Sequence, residues 1–280
     1  MIEVIEAAAS KRVLFLGEEI TDVYHYGRML ARPLKEPVLC VEHVTSEAWA
    51  GGVHAAARHA ETFCAVVHVA ASIRLRKERY VEQAHTRKLF EVYCGNEAIA
   101  VPILPRLADY DAVIVTDYGH GMFTDDLISR LCEEAPFLAV NVQSNAGNYG
   151  FNLATKWPRA DYLCLDEPEA RLSTQNRDGP IVSSLDELGC IAPRVVITLG
   201  RNGAIGTGDV HVPAFLDSVV DTMGAGDAFF SVTACIAKEA PMRELLTIGN
   251  VAGKLKALTV GHRQPVTKND LIAYLRSQSC

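Results

Sequence analysis

The sequence predicts an α/β fold with a doubly wound, mostly parallel sheet flanked by helices and a small antiparallel β lid. Short β-rich runs recur along the chain, and they are almost continuously apolar, which is typical of strands that helices cover on both faces. Helical patterns lie between or after these runs. One segment, residues 72–102, breaks the alternation with a different β-type pattern. We expect a single domain over residues 1–280, because no long linker or repeat divides the chain.

The predicted strands and helices alternate along the chain. The strands are expected at 13–17, 65–70, 111–117, 137–143, 161–166 and 194–200. The helices are expected at 51–63, 124–135, 184–191, 226–239, 241–259 and 268–277. Ligands of such sheets bind beyond the carboxyl ends of the strands. Polar residues follow several predicted strands at that edge, namely Glu18, Asp22, Asp117, Gln143, Asn145, Asp166 and Glu169.

The predicted lid consists of two segments, at about 22–47 and 72–102. In the second segment Arg74 and Arg76 alternate with Ile73 and Leu75, which favours antiparallel strands with one polar face. We expect a strand at 38–44 to join them. A lid of this kind is expected to close over a substrate.

The composition favours an intracellular globular protein. Lys and Arg number 27 against 34 Asp and Glu, a net charge of −7, whereas a general nucleic-acid binder is usually basic. No apolar run reaches the ~18 residues of a membrane span. The eight cysteines form no C-x-x-C pair, so they predict neither a zinc site nor a disulfide framework. We therefore expect a cytoplasmic protein with no nucleic-acid or membrane partner.

The most informative motif is DTMGAGD at 221–227, which runs directly into the apolar helical stretch AFFSVTACIA. The glycines let the backbone approach a ligand closely, and the following helix adds free N–H groups and the positive end of its dipole. Such a loop binds phosphate. Asp227 places a carboxylate beside it that could deprotonate a hydroxyl, so the motif predicts phosphoryl transfer to an alcohol. The alternative is that Asp227 only complements the helix dipole.

Together these motifs resemble those of the ribokinase-like (PfkB-type) carbohydrate kinases over essentially the whole chain. DTMGAGDAFF is similar to the C-terminal signature of that family, AGGVHAAARHA at 50–60 to its Gly-Gly sugar-binding segment, and GEEITDVYHYG at 17–27 to its opening strand. DEPE at 166–169 resembles the Asn-x-x-Glu element, and TLGRNG at 198–203 resembles the loop on the nucleotide side.

Within the family the chain is most similar to the heptose-7-phosphate kinases, through segments such as RKLFEVY, NVQSNAGNYGFN and VGHRQPV. The resemblance implies ATP-dependent phosphorylation of a sugar or sugar phosphate in the presence of Mg²⁺. The acceptor that we expect from this resemblance is heptose 7-phosphate, at its anomeric hydroxyl. By the same resemblance, Asp227 is expected to be the catalytic base, and Gly224, Ala225 and Gly226 are expected to form the anion hole.

The resemblance also assigns binding residues. By resemblance, Asp22, Gly51 and Gly52 are expected to bind the substrate. Arg76 and Arg79 are expected to bind it because they are basic residues of the lid, and a phosphorylated sugar needs such partners. The expected nucleotide-binding residues are Asp166, Glu169, Thr198, Gly200, Gly203 and Asn250. Glu169 is expected to contact Mg²⁺ indirectly, because this ion keeps most of its waters.

Several alternatives remain open. Arg76 and Arg79 belong to a group of six basic residues between 74 and 88, which could bind a substrate phosphate or keep an exposed edge strand soluble. Asp166 and Glu169 could simply start a helix. The fold would also suit a nucleoside kinase, or a catalytically weak relative that binds a ligand or a partner. An open lid edge suggests a homodimer formed through the lid strands.

Overall fold

A computed structural model describes residues 1–95, 102–215 and 219–278 of the chain. Its strands form one ten-stranded sheet within this part of the chain. The strands are β1 (Arg12–Met29), β2 (Val41–Gly52), β3 (Val66–Glu82), β4 (Arg87–Cys94), β5 (Ala112–Asp117), β6 (Leu138–Val142), β7 (Tyr162–Asp166), β8 (Arg194–Thr198), β9 (Ala204–Gly206) and β10 (Val210–Val212). The helices are α1 (Ile2–Ala7), α2 (Val53–Arg58), α3 (Asp125–Glu134), α4 (Glu167–Ser173), α5 (Ile181–Leu188), α6 (Ala225–Ile236), α7 (Met242–Ala257) and α8 (Lys268–Ser277).

The core of the sheet is parallel, as the continuous apolar runs predict. Strands β3, β1, β5, β6, β7 and β8 lie side by side in that order and run in one direction. Neighbouring residues of one strand point to opposite faces, so Phe15 packs in the layer of α6 and α7, while Leu14 packs in the layer of α3 and α5. The predicted doubly wound fold is confirmed.

One predicted helix is much shorter than expected. The helical pattern at 51–63 yields only α2, because Gly51 and Gly52 are the last residues of β2. Gly52 has a φ of +57°, and a Cβ atom there would lie 2.3 Å from the carbonyl oxygen of Glu18. The chain therefore turns sharply from the strand into the helix at a position that only glycine fits.

The lid is formed by the second halves of two core strands and by two further strands. Strand β1 is 18 residues long and β3 is 17, so both continue beyond the core. Strand β2 pairs antiparallel with β1, and β4 pairs antiparallel with β3, as predicted. The central pairing differs, since β1 and β3 stay parallel from Glu19–Arg74 to Gly27–Glu82. The two strands are parallel in the lid because each is the continuation of a parallel strand of the core. The alternation of polar and apolar side chains shows only that one face is exposed and does not reveal the strand direction.

One predicted lid strand has different bounds in the structure, and one part of the predicted lid lies outside the described residues. The strand expected at 38–44 begins at Val41 and continues to Gly52. The end of the predicted segment 72–102, at 96–101, lies outside the described residues. Among the described residues, no helix is long and apolar enough to cross a bilayer.

The outer face of the lid has a row of aromatic side chains. The ring of Tyr80 stacks on His25 at 4.6 Å and on Phe90 at 4.4 Å between centroids. Phe90 is 44% exposed. A homodimer through the lid strands remains a prediction, and this row would lie at or near such an interface.

Candidate active site

The glycine-rich loop enters α6 through a left-handed turn. Gly224 precedes the helix with a φ of +75°, which favours glycine. A Cβ atom on Gly226 would meet no other atom within 4 Å, so a ligand can approach this backbone. Ala225 differs from the expectation, because its N–H donates to the carbonyl oxygen of Thr222 at 3.2 Å. Within the described part of the chain, the N–H groups of Gly224 and Gly226 have no such acceptor and are the donors left for an anion.

Asp227 lies in the first turn of α6 and is held by two side chains from neighbouring strand ends. Its Oδ1 accepts hydrogen bonds from the hydroxyl of Tyr118 at 3.2 Å and from Nε2 of Gln143 at 2.7 Å. Tyr118 directly follows β5, and Gln143 directly follows β6. No described residue donates to Oδ2. This arrangement fixes the carboxylate and leaves one oxygen available to accept a proton from a hydroxyl.

A buried carboxyl group supports the loop that carries Tyr118. Glu18 is completely buried, and its two oxygens accept the backbone N–H groups of Tyr118 at 3.0 Å and His120 at 3.1 Å. Burial, and then the charge of Asp117, raise the pKa of Glu18 to about 7. Glu18 therefore positions Tyr118, and through it the carboxylate of Asp227.

Asp22 lies at the centre of a buried ionic cluster between lid and core. It is 3% exposed, and its carboxylate pairs with Nη1 of Arg79 and, at 3.1 Å, with Nε2 of His262. Burial alone would raise the pKa of Asp22, but the hydrogen bond from His262 and the charge of Arg79 outweigh it and lower the pKa. A Cβ atom on Gly51 would lie 2.0 Å from Oδ2 of Asp22, so glycine is needed for this close contact.

The two lid arginines expected to bind substrate point to opposite faces. Arg76 lies on the outer face, where it is exposed and pairs with Glu78 at 2.7 Å, so the structure does not bring it to the site. Arg79 points inward, but it is engaged by Asp22 and, at 2.8 Å, by Glu91. The reason is the two-residue period of a strand, which places Lys77 and Arg79 on the inner face and Arg76 and Glu78 on the outer face.

Four of the six residues expected to bind nucleotide line one cavity of about 540 Å³ beside the glycine-rich loop, and Asp166 and Glu169 are not among its lining residues. Thr198, Gly200, Gly203 and Asn250 are among its lining residues, with Phe215 and Phe229 as aromatic walls. The backbone of Ala225 and Gly226 forms part of the same wall. The cavity thus reaches from an apolar compartment to the anion loop, as a nucleotide with its phosphates requires.

Asp166 and Glu169 form a capping box at the start of α4. Each side chain accepts the backbone N–H of the other residue at 2.8 Å, and Oε1 of Glu169 also accepts the N–H of Ser144 at 2.9 Å. Burial, and then the charge of Asp166, raise the pKa of Glu169 to about 8. The described residues contain no group of three or more side chains that could hold a metal ion.

The sequence interpretation missed several residues that the structure brings to the site. Glu18 and Gln143 stood among the polar residues at the strand ends but had no assigned role. Tyr118 and Lys77 also lie near Asp227, and His262 lies against Asp22. The signal for Tyr118 was its place directly after a predicted strand. The signal for His262 was its place in VGHRQPV, one of the segments that carry the family resemblance, although no role was assigned to it.

Comparison with known proteins agrees with this architecture. The chain is 27% identical over 184 residues to the bifunctional protein HldE of Citrifermentans bemidjiense. The matched region covers 58% of this chain and 36% of HldE. The chain thus spans about a third of the length of this curated relative. The fold is shared with Escherichia coli phosphofructokinase-2 in complex with substrates and products (TM-score 0.72, 15% identity, covering 96% of this chain and 100% of that chain).

It is also shared with Arabidopsis thaliana ribokinase complexed with ribose and ATP (TM-score 0.68, 14% identity, covering 95% of this chain and 99% of that chain). At these identities, the two structures are evidence for the fold alone. The sequence model of the pfkB family carbohydrate kinases matches residues 128–269, about half of the chain, which include α4, the cavity-lining residues, the glycine-rich loop and Asp227. This chain is therefore a kinase that belongs to the pfkB family of carbohydrate kinases.

Proposed function

We propose that this protein transfers the γ-phosphoryl group of ATP to a hydroxyl of a sugar or sugar phosphate, with heptose 7-phosphate at its anomeric hydroxyl as the preferred acceptor. The observation that carries the proposal is the position of Asp227. Its Oδ2 has no partner among the described residues, and it lies beside an anion loop that borders the nucleotide-sized cavity. A base and a phosphate site on opposite sides of one reacting centre are what phosphoryl transfer to an alcohol requires.

The residues of the donor side would bind the nucleotide and its phosphates. The adenine and ribose would occupy the cavity lined by Thr198, Gly203 and Asn250. The N–H groups of Gly224 and Gly226 would donate to the transferred group, where the loss of one such donor typically costs ~3 kcal/mol of transition-state stabilisation. Mg²⁺, when bound, would neutralise phosphate charge, with Asp166 and Glu169 near it through water.

The residues of the acceptor side would orient the hydroxyl towards Asp227. Oδ2 of Asp227 would accept the proton of the attacking hydroxyl, while Tyr118 and Gln143 hold the other oxygen in place. Asp22 and the backbone of Gly51 would contact sugar hydroxyls from the lid side. The preference for a heptose is supported by the similarity to HldE, at 27% identity.

A panel of acceptors tests the proposed reaction. ADP release from MgATP is measured with hexoses, heptoses, their phosphates and nucleosides. We expect turnover with sugars or sugar phosphates, and the highest kcat/KM with heptose 7-phosphate. A highest kcat/KM with nucleosides would replace this proposal with the nucleoside-kinase alternative. Tight nucleotide binding without turnover on any acceptor would favour a catalytically weak binding protein instead.

A further inference from the structure

Lys77 is a nearly buried cation on the inner face of the lid that has no ionic partner among the described residues. It is 7% exposed, and its ammonium group lies 5.0 Å from the centre of the Tyr93 ring. No described carboxylate or carbonyl oxygen accepts a hydrogen bond from it. A cation–π contact compensates only part of the cost of removing an ammonium group from water.

The other cations on this face of the lid are already paired. Arg79 is bound by both Asp22 and Glu91, and Lys88 by Asp221 at 3.3 Å. Asp22, Glu91 and Asp227 contribute to the electrostatic environment of Lys77 as well, but the first two are engaged by Arg79. Lys77 is thus the inward-facing lid cation that remains available for a ligand.

A second unsatisfied group, on the core side, lies within the electrostatic reach of Lys77. Nε2 of His120 is buried and has no hydrogen-bond partner in the described part of the chain. Burial, and then the charge of Lys77, lower the pKa of His120 to about 4, so its ring is neutral at neutral pH and can donate from one nitrogen. Its backbone N–H is fixed by Glu18 at 3.1 Å. Two buried polar groups without partners, on separate elements, indicate a site for an oxygen-rich ligand.

We propose that Lys77 and His120 form the subsite that binds the phosphate which the acceptor already carries before the reaction. This inference rests on the proposed function and identifies the acceptor class as sugar phosphates. Lys77 supplies the charge, because an ammonium group pairs with phosphate as a compact point charge. His120 supplies a hydrogen bond from its Nε2 atom. Asp227 contributes to the electrostatic environment of Lys77, so the acceptor would lie between its own phosphate and the base.

The proposal is tested by equilibrium binding, without ATP and without turnover. Calorimetry measures the dissociation constants of heptose 7-phosphate and of the free heptose. In the unsubstituted protein we expect the phosphorylated sugar to bind at least about tenfold more tightly. Lys77→Gln should remove most of this preference by weakening the binding of heptose 7-phosphate alone. Lys77→Arg keeps the charge and should retain part of the preference.

Arg76→Gln is the matched control, because Arg76 is the next residue on the same strand but lies on the outer face. It should leave both dissociation constants unchanged, and the affinity for a non-hydrolysable ATP analogue reports that each variant is folded. Equal weakening of both sugars by Lys77→Gln, or no weakening, would contradict the proposal. Inorganic phosphate should also compete with heptose 7-phosphate on the unsubstituted protein, and a lack of competition would contradict it without any variant.

These outcomes separate the phosphate subsite from the proposed reaction. If the protein turns over free sugars but shows no preference for phosphorylated ones, the subsite is wrong and the kinase function stands. If it binds sugar phosphates through Lys77 but transfers no phosphate to any of them, the subsite stands and the proposed reaction is wrong.

Discussion

Single carboxyl groups at the strand ends set the geometry of the reacting centre. Glu18 fixes two backbone N–H groups of the loop after β5, and Tyr118 of that loop fixes Asp227. Glu18 itself is completely buried. Its influence on the reaction is therefore indirect, and it is best observed in the pH dependence of stability.

We expect Glu18 to make the protein less stable as the pH rises from about 5 to 8. Its pKa is raised by burial from an ordinary value of 4.5 to about 7 in the folded protein. The neutral form is thus favoured by folding, and this advantage is complete below pH 4.5 and lost as the pH rises through 7. The loss is on the order of 3 kcal/mol.

Thermal unfolding of the unsubstituted protein and of Glu18→Gln, measured at several pH values, tests this expectation. The amide cannot ionise, so the variant does not lose this stability as the pH rises. The Tm of the variant minus the Tm of the unsubstituted protein should therefore increase by about 5 °C between pH 5 and pH 8. A constant difference in Tm over this range would show that Glu18 does not titrate in the window given by its raised pKa.

At the residue scale, the sequence indicated which residues to propose for the chemistry, but not their contacts. Asp227 and the glycine-rich loop could be proposed because one short motif contains both the glycines and the carboxylate. The alternation with Ile73 and Leu75 puts Arg76 and Lys77 on opposite faces of the strand, but it does not show which face meets the site. That choice is made by the register of β3 against β1, which depends on packing of the whole sheet.

At the scale of elements, the lid is connected to the glycine-rich loop through one carboxylate. Asp221, the first residue of the motif, accepts hydrogen bonds from four groups. The hydroxyl of Tyr24 in β1 and the ammonium group of Lys88 in β4 donate from the lid, both at 3.3 Å. The N–H groups of Met223 and Gly261 donate at 3.0 Å from the core side. The position of the lid strands is therefore coupled directly to the start of the anion loop.

Removal of Lys88 should loosen this connection. We expect Lys88→Met to lower kcat/KM several-fold and to cost about 1 kcal/mol or less of stability, because the ion pair is only partly buried. Hydrogen exchange should become faster in the segment 221–227. Arg87→Met, on the exposed neighbouring residue of β4, is the control. Unchanged exchange in 221–227 of the Lys88 variant would show that the lid and the loop are not coupled through Asp221.

The elements themselves were largely predictable, and the exceptions have physical causes. Strands β5, β6, β7 and β8 lie within one or two residues of their predicted bounds, because burial on both faces makes their sequences continuously apolar. The continuation of β1 and β3 into the lid was not predicted. Their second halves have one exposed face, so the apolar pattern changes in the middle of a single strand.

At the scale of the whole molecule, the proposed donor and acceptor sites lie on two sides of the start of α6. The nucleotide-sized cavity is formed by β8, α7 and the glycine-rich loop, whereas the acceptor side is formed by the lid and the loops after β5 and β6. The first turn of α6, with Gly226 and Asp227, lies between the two sides. Asp227 is therefore the residue on which the proposed reaction depends most.

The most direct test is ADP release from MgATP with heptose 7-phosphate, compared between the unsubstituted protein and Asp227→Asn. The amide keeps the shape of the side chain and can still accept hydrogen bonds from Tyr118 and Gln143, but it cannot take up the proton. We predict a loss of about 10²–10⁴-fold in kcat with little change in the affinity for a non-hydrolysable ATP analogue. If Asp227→Asn retained most of the turnover, Asp227 would not be the base and the proposed mechanism would be wrong.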